Sequence, residues 1–523
     1  MTATHRAYRA LLHDGLSASA RSWPDKIAVD TGKEACSFRE LDDSATRLAA
    51  ALQARGLRRG DRVAIFMDNT VACAIGIFAV LKAGGVFLVI NPQTKHDKLC
   101  FITNDCTVRH LLTDIHLAEV ASAVVGNVPS LTHIIVSGQG GELQALSGSG
   151  IKAEWLSDVL AGAGDTLREP GTIPTDLAAL IYTSGSTGNP KGVMHTHQSM
   201  VFAVGSLSEY QRLASDDVQL NLLPMAFDYG LYQLLLSVWA GATLILERSF
   251  TFPAEVFARM NAHGVTTFPG VPTVFAMIIA AHRRSQLLFP EVRRVTNTAA
   301  ALPPAHIAIL REIFPNAMIF AMYGLTECKR VSYLPPELID AKPGSVGIAI
   351  PGTEVYLRSP EGEPVGPGGS GILHVRGPHM MRGYWNNQKR TDEMLFPGDI
   401  PGERVLCTGD WFRMDEDGCL YFLSRTDDII KTRGEKVSPA EVEAALCSIP
   451  GIREAVVIGV PDEVLGQAIR AFVVPVDGET LNERQLRHEL TRRLENFMVP
   501  RDIVLRDTLP KSPNGKIDRK ALA

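Results

Sequence analysis

Short apolar runs alternate with longer amphipathic stretches through most of the first two thirds of the chain, the pattern of buried parallel strands joined by helices. Strand-like runs fall at residues 63–66, 109–113, 132–136, 177–181, 266–268 and 318–322. Residues 71–90 are almost wholly apolar but contain Lys82 and the pair Gly84-Gly85, with Asn69 and Asn91 just outside. That composition predicts a buried helix, a glycine turn and a strand, rather than a membrane span. Residues 231–246 repeat the layout around Gly241. Helix–turn–strand units of this kind predict α/β packing in parallel layers, and two such layers fit residues 25–343.

The texture then changes. Residues 141–174, rich in Gly, Ala and Ser, read as a surface connection. Residues 344–417 read as short strands punctuated by Gly and Pro, predicting a small β-barrel or sheet. Ser438-Pro-Ala-Glu441 is a capping box with proline at the first helical position, and Thr480-Leu-Asn-Glu483 is a second box ahead of the stripe Leu486, Leu490, Leu494. Strand-like runs at 454–460 and 468–476 lie between them. The expected fold is α/β: an N-terminal domain over residues 1–425, with two α/β layers and a small β-barrel, and a small α+β C-terminal domain over 426–523.

At 523 residues the chain is too long for one core, and a net charge of −5 gives no electrostatic case for nucleic acid. The eight cysteines are scattered without a Cys-x-x-Cys pair, and the close histidines His195 and His197 have no cysteine near them. Reduced thiols are expected, not a disulfide framework or a zinc site. No apolar segment marks the first fifteen or so residues as a signal peptide, so the sequence reads as cytoplasmic, with no membrane span.

The chemistry begins at Tyr182-Thr-Ser-Gly-Ser-Thr-Gly-Asn-Pro-Lys-Gly192. Glycines let backbone N–H groups approach an anion closely, while Thr183, Ser184, Ser186 and Thr187 add hydroxyl donors and Lys191 adds charge. The run suits a polyphosphate cradle, although it lacks the Gly-Lys-Ser/Thr of a P-loop, and a Ser/Gly-rich stretch also serves as a flexible linker. Five further motifs follow in order: Tyr323-Gly-Leu-Thr-Glu327, Thr408-Gly-Asp410, Ser424-Arg-Thr-Asp-Asp428, Lys431-Thr-Arg-Gly-Glu-Lys436 and Pro513-Asn-Gly-Lys516. Any one alone has an ordinary structural reading. Together, in this order, they make the chain resemble the adenylate-forming superfamily of acyl-CoA synthetases, firefly luciferase and peptide-synthetase adenylation domains. The likeness runs from Ser37-Phe-Arg-Glu-Leu41 to the end.

The resemblance implies ATP and Mg²⁺ as cofactors and assigns roles residue by residue. Thr183, Ser184, Gly185, Ser186, Thr187, Gly188 and Lys191 would hold the ATP phosphates. Tyr323 would stack on adenine, Asp410 accept from the ribose, and Arg425 reach ribose and phosphate. Thr326 would donate to a phosphate oxygen and Glu327 hold the metal. Asp427 would be the hinge of a mobile C-terminal domain that carries Lys516 to the reacting carboxylate. Lys431, Gly434 and Lys436 would face the site, along the thiol tunnel, after the domain rotates. One departure stands out: Asn297-Thr-Ala-Ala-Ala-Leu-Pro303 has no glycine where the family often carries Gly-Gly-Ala.

The acid is suggested by Pro224-Met-Ala-Phe-Asp-Tyr-Gly230. Peptide-synthetase domains carry Phe-Asp there, with the Asp on the substrate amine, so Asp228 reads as an amine partner. It also reads as an Asp satisfied by backbone donors at a helix start. Lys329 and Arg330 follow Glu327 along the expected acyl pocket and suit a second carboxylate, or a plain structural pair. These features make the chain similar to stand-alone ligases for amino acids, and a β-amino or aminodicarboxylic acid such as methylaspartate is the sharper expectation. The expected acceptor is the phosphopantetheine thiol of a separate carrier protein; the alternative is an acyl-CoA synthetase for a non-amino carboxylic acid with CoA as acceptor.

Overall fold

The computed structural model describes residues 9–523 except 149, 163–165, 184–189, 299–301, 303, 426–427, 429, 433–434, 463–464, 480, 495, 512–516 and 523, with backbone alone at 304, 431, 435, 436, 466 and 520. Two large sheets with mainly parallel centres carry the first part of the chain. One has eight strands, in the order Gly383–Tyr384, Lys191–Thr196, Leu177–Thr183, Val86–Ile90, Arg62–Phe66, His110–Asp114, His133–Ser137 and Lys152–Trp155. The other has nine, with Met318–Tyr323, Arg294–Asn297, Thr267–Gly270, Val218–Asn221, Thr243–Leu246 and Ile27–Asp30 parallel in its middle.

The predicted strands lie where the apolar runs put them. Helix Val71–Lys82, closed by Gly84 at φ +80°, feeds strand Val86–Ile90. Helix Asp228–Ala240 ends on Gly241 at φ +73° and feeds Thr243–Leu246. A side chain at Gly241 would strike the Trp23 ring at 2.1 Å, so only glycine serves both the left-handed turn and the close contact. Every residue of Val71–Lys82 is buried, and the core around it draws on both sheets and on Asp228–Ala240. The lysine in this apolar helix is neutralised: Lys82 Nζ lies 2.7 Å from Asp42 and donates to Thr46 Oγ1 at 2.8 Å. No helix among the described residues is long and apolar enough to cross a membrane.

Residues 344–417 contribute most of a six-stranded antiparallel sheet that runs on to Leu420–Arg425. The stretch expected to be only a connection, 141–174, contains the strand Lys152–Trp155 and the helix Leu156–Ala161. The run Ser147-Gly-Ser-Gly150 just ahead of it hid the short edge strand, which is fixed by pairing with His133–Ser137. Beyond Arg425 a five-stranded sheet is built on the hairpin Ile452–Asp462 and Gly466–Pro475, with its own core beneath helices Pro439–Cys447 and Glu483–Thr491. Ser438 caps the first helix through Glu441 N. The second is capped by Asn482, whose side chain accepts from Arg484 N, so the cap falls two residues past Thr480. Thr480 itself lies outside the described residues.

Candidate active site

The candidate residues gather where parallel strands end, the usual place for a ligand in an open α/β sheet. Strand Met318–Tyr323 delivers Tyr323 and then turns sharply through residues 324–331. Val331 N bonds back to Tyr323 O at 2.9 Å, and Lys329 N to Leu325 O at 2.6 Å. A methyl group at Gly324 would lie 2.2 Å from Lys329 O, so the turn closes only around glycine. This leaves Thr326 and Glu327 at the tip.

The Tyr323 hydroxyl donates to Asp410 Oδ2 at 2.5 Å, and its ring packs edge-on to Phe412. Burial, with Asp410 beside it, pushes the phenol well above its usual range. Arg425 Nε stands 3.7 Å from Asp410 Oδ1, and the two residues pair in register across neighbouring strands. Tyr323, Asp410 and Arg425 are therefore one cluster.

Glu327 Oε1 accepts from the Tyr384 hydroxyl at 2.5 Å, and its carbonyl accepts from Met381 N at 2.6 Å. His195 Nε2 lies 2.9 Å from Thr326 O. Lys191 stands with Nζ 5.7 Å from the centre of the Tyr384 ring; burial is the main influence lowering its ammonium pKa, and Glu327 opposes it. Thr183 and Lys191 face each other across paired strands, so they form the two posts of the hydroxyl-glycine loop. A half-buried carboxylate beside a hydroxyl donor is hard oxygen chemistry, and Glu327 fits a magnesium ion on that ground.

The residues that the sequence places at the acid separate. Asp228 occupies the first turn of helix Asp228–Ala240, half-buried, with Oδ1 accepting from the Tyr229 amide at 3.1 Å. Its field reaches Tyr232, Cys328 and Lys329. Arg330 is buried, with its guanidinium 5.1 Å from the Tyr229 ring centre and Nη1 donating to Thr298 Oγ1 at 3.3 Å and Lys329 O at 3.2 Å. Its Nε meets no hydrogen-bond partner among the described residues, and no carboxylate there forms a salt bridge with it. Lys329 does not share this surface as the sequence suggested. Its Nζ donates to Ser199 Oγ at 3.1 Å and His379 O at 3.0 Å, and burial, opposed by Cys328 and Asp228, pulls the ammonium down to about 7.

Ser184, Gly185, Ser186, Thr187, Gly188, Asp427, Gly434 and Lys516 lie outside the described residues. Lys431 and Lys436 oppose each other in the hairpin of Ile430–Thr432 and Glu435–Val437. Sequence reasoning missed Tyr384, His195, Ser199 and His379. Tyr384 is brought beside Lys191 by strand pairing with Val193, a contact across nearly two hundred residues that leaves no local signal.

Residues 16–385 match the AMP-binding enzyme family and residues 441–516 the AMP-binding enzyme C-terminal domain, so the chain belongs to the adenylate-forming superfamily. Feruloyl-CoA synthase of Amycolatopsis sp is 33% identical over 504 residues, covering 95% of each chain. Tyrocidine synthase 3 of Brevibacillus parabrevis is 30% identical over 526 residues; these are all of this chain and 8% of that protein, so the chain spans a small part of this relative. The anthranilate CoA ligase AuaEII in complex with anthranoyl-AMP superposes with a TM-score of 0.89 at 27% identity, covering 100% of this chain and 98% of that one. ATP-bound MatB from Rhodopseudomonas palustris gives 0.86 at 28%, covering 98% of each. This protein is an AMP-forming acid–thiol ligase.

Proposed function

We propose that the ligase adenylates an amino acid held through its amine by Asp228, then transfers the acyl group to the phosphopantetheine thiol of a separate carrier protein. The observation that carries this reading is the placing of opposite charges about one residue, since the fields of Asp228 and Arg330 both reach Tyr232. A half-buried carboxylate stands at the head of helix Asp228–Ala240, and at Arg330 stands a buried guanidinium that forms no salt bridge with a carboxylate among the described residues. Buried charge is costly unless paired. An aminodicarboxylic acid such as methylaspartate complements both, its ammonium directed to Asp228 and its second carboxylate to Arg330. A long aliphatic acid supplies neither.

In the first half-reaction the reacting carboxylate is already ionised at neutral pH and needs no general base. It needs neutralisation of charge as it approaches the triphosphate, by positioned donors. On this reading the loop from Thr183 to Lys191 cradles the phosphates, Tyr323 lies on adenine, Asp410 takes the ribose hydroxyls with Arg425 beside it, and Thr326 donates to a phosphate oxygen. Glu327, oriented by Tyr384, would hold Mg²⁺, which supplies positive charge at the phosphates when bound. Lys516 would contact the reacting carboxylate from a C-terminal unit, residues 426–523, that hinges at Asp427. Its rotation would then bring Lys431, Gly434 and Lys436 to the thiol path. One contact spans that boundary: the Ser438 hydroxyl donates to Leu423 O.

The second reading, a CoA ligase for a non-amino acid, is favoured by the near-complete coverage of feruloyl-CoA synthase. Acid-dependent pyrophosphate exchange over a panel of α-amino, β-amino and unaminated acids separates the two, with mass spectrometry of CoA and pantetheinylated carrier as acceptors. Better exchange with unaminated acids would remove the amine clamp. Asp228→Ala is expected to weaken amino-acid use by about 2–5 kcal/mol, and a loss below about tenfold rejects the clamp.

A further inference from the structure

Lys329 is an unusual residue for its place. It is fully buried, sits at φ +63° where a side chain other than glycine is strained, and its ammonium has no carboxylate in hydrogen-bond contact among the described residues. Something must hold it there. Its two acceptors lie on different segments: Ser199 in the first turn of helix His197–Tyr210, directly after strand Lys191–Thr196, and the carbonyl of His379. Ser199 Oγ itself donates to Thr196 O at 3.1 Å, which leaves the hydroxyl oxygen's lone pairs for the lysine. Two residues beyond His379, Met381 N binds the Glu327 carbonyl, and Arg382 N binds Met194 O at 2.9 Å.

We propose that Lys329 is a positioning residue for adenylation: its ammonium ties together the three segments that carry Lys191, Thr326–Glu327 and Tyr384, and so fixes the catalytic turn rather than binding the acid. The geometry gives the reason. The turn 323–331 returns on itself through its own backbone bonds, but those bonds set only its shape. Its placement against the strand from Lys191 and the segment before Tyr384 comes from contacts that cross between segments: Lys329 with Ser199 and His379, His195 with Thr326 O, and Met381 with Glu327 O. Lys329 alone of these side chains bridges both neighbouring segments at once. A catalytic group displaced by about 1 Å loses about 10² in rate.

The test is substrate-saturation kinetics of pyrophosphate exchange, using the acid that gives the fastest exchange in the panel above. Lys329→Met keeps length and apolar volume and removes the donors. Its kcat is expected to fall by about tenfold or more while the acid KM stays within about threefold. A rise in acid KM that exceeds the fall in kcat makes Lys329 an acid ligand and overturns the proposal, as does a kcat within about threefold of the unmodified enzyme. If Lys329→Met shows no cooperative melting transition, Ser199→Ala decides. Removing that one acceptor is expected to lower kcat by about threefold to tenfold at unchanged acid KM, and any other pattern overturns the assignment.

Discussion

Acidification probes how completely the protein has withdrawn its histidines from water. His110, His195, His197 and His379 have no exposed surface. Burial holds His110, His197 and His379 down at about 3 and His195 well below the usual imidazole value, and the Lys329 charge adds to this at His195 and His379. Among the described residues Nδ1 of His195 and both ring nitrogens of His379 meet no hydrogen-bond partner, so an added proton there would be a buried charge without a receptor. In the unfolded chain all four rings titrate near 6.5. Because the folded values lie below that, the stability they contribute is present above about pH 6.5 and drains away as pH falls toward the folded values. Between pH 7 and pH 5.5 the four rings together lose roughly 5 kcal/mol. Asp114 acts in the opposite sense. Burial raises it to about 6, so the folded state takes up its proton first; Glu443, raised by burial to about 7, does the same, and the two offset about 2 kcal/mol over the same interval, while His13, lowered by burial to about 4, adds about 1 kcal/mol to the loss. A net loss of about 4 kcal/mol is a large part of what a folded domain has. Equilibrium urea unfolding followed by tryptophan fluorescence, with overlaid refolding curves, measures it directly. A difference below about 1 kcal/mol, or greater stability at the lower pH, refutes the reasoning.

Three further outcomes follow from contacts at the site. Arg330→Met, which removes the charge and keeps much of the bulk, is expected to raise KM about 10²-fold for aminodicarboxylic acids; monocarboxylic amino acids should change by less than about threefold, and equal losses would reject the second-carboxylate site. Tyr384→Phe takes away the hydroxyl that holds Glu327 Oε1 and should shift the Mg²⁺ concentration for half-maximal pyrophosphate exchange by about fivefold or more; an unmoved magnesium curve would show that Tyr384 does not orient the metal ligand. Asp410→Ala is expected to raise KM for ATP by about tenfold or more, read in the same exchange assay at saturating acid, and an unchanged value would separate Asp410 from nucleotide binding.

The strands were legible because each apolar run is as long as the buried strand it becomes, and the glycine breaks at Gly84 and Gly241 mark turns that no other residue could make. Helix starts were legible to within two residues, since Thr480 and Asn482 both offer a capping oxygen and only the folded chain selects Asn482. At the site, the residues on short motifs could be named in advance: Tyr323 and Arg425 close their strands, Glu327 follows in the turn, and Asp410 sits within a strand beside Tyr323 and Arg425. Their supporting residues could not. His195 acts on a carbonyl 131 positions away, and Lys329 on a serine 130 positions away. Such contacts have no period, spacing or composition of their own. The adjacent pair Lys329-Arg330 misled for a related reason: a left-handed backbone at Lys329 sends neighbouring side chains to different places, and linear sequence does not carry that angle.

The wholly buried helix Val71–Lys82 has a consequence for how such an enzyme can diversify. With its whole surface enclosed, and Gly76 already so tight that a methyl would meet Leu112 at 2.8 Å, the helix is a keystone that tolerates little change in volume. Both sheets lean on it, so neither can shift to reshape a pocket from below. Change is then accommodated away from this helix, in segments whose substitution leaves the keystone untouched.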